Sequence, residues 1–90
     1  MDSGLSHKHV EPNALARISN SNVIVFSDGG FRRGAQCGHV AAAAWAAYVL
    51  QNNSVKLVAF EGILLPHAAS AFQAELVALD HAVEFLKTTL

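Results

Sequence analysis

The sequence has one cysteine, Cys37, only two prolines, and charged residues at just 14% of its 90 positions. A single cysteine excludes an internal disulfide framework and a cysteine-rich zinc site, and it fits a reducing compartment. Six Lys and Arg against seven Asp and Glu leave a net charge of −1. That excludes a broadly basic nucleic-acid clamp and leaves room for a local basic patch. The longest apolar run, Val40 to Leu50, falls well short of the roughly 20 residues that a membrane-spanning helix needs. The opening MDSGLSHKHV lacks the basic cluster and apolar stretch of a secretory signal. The expectation is a soluble, intracellular protein without membrane partners, in nucleus or cytoplasm.

What is abundant is apolar surface. Hydrophobic residues make up 52% of the chain, the opposite of a disordered composition. The length suits one small domain, which buries roughly 60% of the surface its unfolded chain exposes.

Residues 1–22 are mostly polar, with Gly4, Pro12, Asn13, Ser19, Asn20, Ser21 and Asn22. They read as a flexible arm, with a short helical turn after Pro12. His7 and His9 read as an accidental pair on that arm; a metal site is the alternative. Order begins at Val23. Val23–Phe26 is a β-branched and aromatic run closed by Ser27-Asp28-Gly29-Gly30, the pattern of a strand buried on both faces. Phe31–Gly38 reads as a hairpin loop. His39–Leu50 is alanine-rich, which favours helix. The turn cluster Gln51-Asn52-Asn53-Ser54 and the alternating VKLVAFEG beyond it favour a strand hairpin instead. Ile63–Ala69, with Pro66, reads as a connection. A helix then runs from Ser70 to about Lys87, with Ser70 and Gln73 forming a capping box. The expected fold is α/β, in two layers: a three-stranded antiparallel sheet with one long helix packed on it.

At about 100° per residue, Phe72, Leu76, Leu79, Val83 and Leu86 share one arc of that helix, extended by Ala78, Ala82 and Phe85. Glu75 lies inside the arc, while Asp80, His81, Glu84 and Lys87 face the other way. A carboxylate is expensive to bury without a partner, so Glu75 needs a cation, a metal ion or a route to solvent at the rim. Asp28 ends an apolar strand before two glycines, where acids often belong to sites; a plain Asp-Gly turn is the alternative. If the helix crosses the sheet so that both acids meet, a divalent cation must sit between them, and hard oxygen donors suit Mg²⁺ or Mn²⁺.

These segments resemble the ribonuclease H family, in its type 1 and retroviral or retroelement, reverse transcriptase-associated branch. VIVFSDGGF is similar to that family's first strand. SAFQAELVALDHAV, Ser70 to Val83, is similar to its first long helix, matching at Ser70, Ala71, Ala74, Glu75, Leu76, Ala78, Leu79 and Ala82. The resemblance covers residues 23 to about 88, the amino-terminal half of such a domain. It implies Mg²⁺-dependent hydrolysis of the RNA strand of RNA–DNA hybrids, with Asp28 and Glu75 as catalytic, metal-binding carboxylates. It implies nucleic-acid contacts by Gly29, Gly30, Arg32, Arg33 and Gln73; for Arg32 and Arg33 a solvated basic turn is the alternative.

The departures bear on function. The family's third carboxylate lies on a strand after this helix and a fourth comes later, so the implied metal binding here is weak. Asp80 points the wrong way to substitute, and His67 and His81 match no catalytic position. The first strand is left as a bare edge, open to self-association or to completion by a partner. The alternative function is a non-catalytic, retroelement-derived remnant that binds nucleic acid or protein. An Asp-Gly turn after an apolar strand also marks haloacid dehalogenase phosphatases, but their nucleophilic Asp position holds Phe26 here. An alanine-rich helical protein is the outcome if 39–50 is helix.

Overall fold

The computed structural model describes residues 5–19, 22–33, 39–65 and 70–89. The elements in chain order are β1 (Leu5–Val10), α1 (Ala14–Ser19), β2 (Asn22–Arg33), β3 (His39–Gln51), β4 (Ser54–Leu65) and α2 (Ala71–Thr89). The strands form one antiparallel sheet in the order β1-β4-β3-β2, and α2 packs on one face over β2 and β3.

The alanine-rich segment is a strand because its neighbours override its helix propensity. Ala41, Ala43, Trp45, Ala47 and Val49 are buried beneath α2, and the residues between them face the other way. Asn52 and Asn53 carry φ of 50° and 64°, the left-handed pair that a two-residue hairpin turn demands, and Gln51 pairs with Ser54 across it. On β4 the register shifts beside Ala47 and Tyr48, leaving Val58 as the extra residue. This bulge explains why Val58 and Ala59 are buried in succession.

Four strands, not three, make the sheet. Leu5–Val10, expected in a flexible arm, pairs along β4 from Leu5↔Leu64 to Val10↔Ala59. Its polar composition hid it, yet His and Lys are what an outer strand tolerates, since one edge and part of each face stay in water. The turn after Pro12 is α1, which seats Ala14 and Ile18 on the core. The apolar run at Val23 is longer and less buried than expected. β2 continues through Ser27–Arg33, pairing with β3 as far as Arg33↔His39. Val23 and Val25 face the core half-buried, while Ile24 and Phe26 lie on the open face. Phe31–Arg33 of the expected hairpin loop belong to β2 and Ile63–Leu65 of the expected connection to β4; the rest of both, 34–38 and 66–69, lies outside the described residues.

α2 begins at its expected cap: the Gln73 N–H donates to Ser70 Oγ at 3.1 Å. Ser70→Ala is expected to remove about 1 kcal/mol, read as a lower urea midpoint with an unchanged slope. The helix packs by one flank of the expected arc, that of Ala78, Ala82 and Phe85, joined by Ala74. Ala74, Ala78, Ala82 and Phe85 are buried, whereas Phe72 is 68% and Leu79 52% exposed. Alanines at every fourth position stack on one face and fit against Ala41, Ala43 and Ala47. The large residues are left on the outer arc with Leu76 and Val83. Trp45, stacked on Phe85 at 4.8 Å, anchors the wider end of the core.

Candidate functional site

Asp28 sits mid-strand in β2, paired opposite Ala44. Its carboxylate accepts the Gly29 N–H at 3.0 Å and is exposed. The next residue decides how the strand meets the helix. A Cβ on Gly29 would lie 2.3 Å from the Glu75 nitrogen and 2.5 Å from the Ala74 carbonyl carbon. Only glycine fits there, and the backbone of Asp28–Gly29 thus lies directly beneath Ala74–Glu75.

The side of α2 on which Glu75 stands follows from His81, whose Nδ1 is 3.1 Å from Glu61 Oε1 on β4. At about 100° per residue, Glu75 is about 120° round the helix from His81, with the sheet-facing Ala78 and Ala82 between them. With β4 inside the sheet and β2 at its edge, Glu75 overhangs the open edge of β2, where it is exposed. The backbones that carry Asp28 and Glu75 therefore meet, but the two side chains lie on different sides of the sheet, Asp28 on the open face and Glu75 on the α2 side at the edge of β2. Glu75 is a rim carboxylate rather than a core one.

The other expected contacts divide. Gly30 adjoins the junction and has open space at its Cβ position. Arg32 and Arg33 extend β2 opposite Val40 and His39, in the strand rather than in a loop. Gln73 lies about 160° round the helix from Glu75, on the Asp80 side, so it does not share the Asp28 junction; its backbone serves the cap. His67 lies outside the described residues. Among the described residues no group of three or more His, Cys, Asp or Glu side chains forms a metal cage. None of the described helices is long and apolar enough to cross a membrane.

A second polar centre lies under the helix. Glu61, 7% exposed, accepts the Trp45 indole N–H at 2.9 Å. Because a carboxylate only accepts, the His81 contact at 3.1 Å is an Nδ1–H donation. His81, expected on the surface, is half-buried by this bond. The signal for Glu61 was present: it alternates with the core-facing Ala59 and Ile63 in β4, so the same test that singled out Glu75 applies to it.

No family model matches the chain, and no curated protein or solved structure matches it.

Proposed function

We propose that this chain carries the first strand and first long helix of a ribonuclease H-like nucleic-acid-binding domain, with Asp28 and Glu75 as its metal-binding acids. The observation that supports this best is the Gly29 junction. It sets an Asp-Gly strand directly against the second helical turn that carries Glu75. For the two exposed carboxylates to share one Mg²⁺ or Mn²⁺, both side chains must reach round the edge of β2, and the ion would be weakly held, since two side chains supply only part of an octahedral shell. When bound, such an ion positions a phosphate and activates water for phosphodiester hydrolysis. The chain's own contribution is to fix Asp28 by the Gly29 N–H and to hold Glu75 on a capped helix.

Paramagnetic Mn²⁺ tests it. Amide signals of 27–30 and 74–76 are expected to broaden first. Asp28→Asn or Glu75→Gln should weaken binding at least about tenfold, a loss of ~1.4 kcal/mol. Broadening centred on His7 and His9, or unchanged binding in both variants, would sink the metal assignment. Cleavage of an RNA–DNA hybrid with Mg²⁺ then separates an enzyme from a binding domain. The exposure of Phe72, Leu76, Leu79 and Val83 on α2, beside the edge strand β2, favours a second reading. In it the chain is a non-catalytic interaction module whose outer helix face and strand edge meet a partner.

A further inference from the structure

We propose that two copies of this chain pair face to face through the open side of the sheet, about a two-fold axis that runs along the strands between β3 and β4. The inference does not rest on the reading above. It concerns the side of the sheet away from α2, and it holds for an enzyme and for a binding module alike.

This face has much apolar area and little charge. Ile24, Phe26, Leu50 and Leu64 lie on it, 40 to 62% exposed. Asp28 is the one acid or base that the described strand residues set there, apart from the imidazoles of His7 and His9 at the far edge; Lys8, Lys56 and Glu61 fall on the α2 side. A surface of this kind suits an apolar partner rather than a charged one. Its size suits a stable one. The strands are 6 to 13 residues long. At about 3.3 Å per residue and about 4.8 Å between strands they make a face of roughly 700 Å², close to the roughly 800 Å² that each partner brings to a standard interface.

What selects a second copy is that the face complements itself. The order β1-β4-β3-β2 puts the midline between β4 and β3. A two-fold axis on that line lays β4 over the other copy's β3 and β1 over the other copy's β2, each row meeting its own equivalent. Phe60 and Ala46 share a row, as do Leu64 and Ala42, so each large side chain comes to lie over a small one. The trough of about 370 Å³ above Ala44, Ala46 and Gly62, lined by Phe26 and Phe60, is the hole that the second copy's Phe60 enters. The neighbouring row holds Asp28, Ala44, Gly62 and His7. Asp28 and His7 stand at opposite edges, three strand spacings or roughly 14 Å apart, too far to bond within one copy. The two-fold brings Asp28 of each copy over His7 of the other, a carboxylate acceptor over an imidazole N–H, twice. An axis across the strands would set β2 over β2 and β1 over β1, and would match neither group. Two sheets packed this way, aligned and about 10 Å apart, form an ordinary sandwich core.

The test is sedimentation equilibrium of the 90-residue chain, in EDTA because Asp28 cannot serve a metal and a second copy at once. The mass is expected to rise with concentration from that of one chain toward that of two. Phe60→Ala empties two symmetry-related contacts and should weaken pairing roughly a hundredfold. His7→Asp sets carboxylate against carboxylate, and Asp28→Lys removes both acceptors; each should weaken pairing at least about tenfold. Mixed in equal amounts, these two variants should form a heterodimer of about parental affinity, because each then meets its complement at both edges. Leu79→Glu on the outer arc of α2 should leave pairing unchanged, and so should Glu75→Gln, so the metal assignment and the pairing fail separately. Circular dichroism checks that the variants fold; if Phe60→Ala does not, the mixed pair decides alone. A mixture no tighter than its separate variants, or self-association abolished by Leu79→Glu, would overturn the proposal. So would a chain that stays single at millimolar concentration, which would leave the face to a different protein.

Discussion

Replacing Gly29 with alanine is expected to destabilise the protein by roughly 3 kcal/mol, the upper end of overpacking effects, and so to remove much of the stability of so small a domain. The added methyl would stand 2.3 Å from the Glu75 nitrogen and 2.8 Å from its Cα. These are backbone atoms of a helix, which no rotamer change can move aside. The helix must lift, and lifting it uncovers Ala41, Ala43, Ala74 and Ala78, which are buried by that approach. The neighbouring Gly30 is the control, because nothing lies within 4 Å of its Cβ position. Gly30→Ala should stay within about 0.5 kcal/mol of the parent. Urea unfolding of the two variants measures the difference, and hydrogen exchange should show the first two turns of α2 losing protection in Gly29→Ala only. Equal midpoints would mean that the helix does not rest on β2 at this point, and the adjacency of Asp28 and Glu75 would go with it.

That contact also explains why the fold was partly legible in the sequence. The helix start was readable because Ser70 and Gln73 satisfy a local rule, and the Asn52-Asn53 turn was readable because left-handed backbone favours asparagine. Which flank of α2's apolar arc meets the sheet was not. Periodicity put Ala78, Ala82 and Phe85 on the same arc as Phe72, Leu76, Leu79 and Val83, and only the first flank, with Ala74, is buried. Size suggested that the larger residues face the core. Close approach of helix to strand selected the smaller ones, and that approach is set by Gly29 and the alternating alanines of β3, 30 to 45 residues away in sequence. Leu5–Val10 escaped for the opposite reason. Its partner is β4, and an outer strand with half its groups in water needs little apolar content to pair.

The site divides along the same line. Asp28 was visible from its local setting at an Asp-Gly step, and Glu75 from its position among apolar residues. Their junction depends on a backbone contact that no periodicity reports. Glu61 shows the converse. It meets the criterion of an acid on a core-facing position more fully than Glu75 does, yet its partners Trp45 and His81 come from another strand and from the helix. Three elements had to be assembled before the carboxylate had a reason to be there.

Glu61→Ala is accordingly expected to cost about 3 kcal/mol. It leaves the buried Trp45 N–H without an acceptor, frees the His81 ring from its carboxylate partner and opens space beneath α2. Glu61→Gln keeps a carbonyl oxygen of the same reach, able to accept from Trp45, and should lose only about 1 kcal/mol, the difference between a charged and a neutral acceptor. His81 is half-buried, so His81→Ala alone should cost about 1 kcal/mol, with water replacing part of what it supplied. The double variant Glu61→Ala/His81→Ala should fall short of the sum of the singles by about 1 kcal/mol, because the two share one bond. Trp45 is the sole tryptophan and is stacked on Phe85, so its fluorescence reports on the same centre. Its emission should move to longer wavelength in Glu61→Ala and hold its position in Glu61→Gln. Full additivity, with Trp45 emission unmoved in Glu61→Ala, would show that the carboxylate does not organise this end of the core.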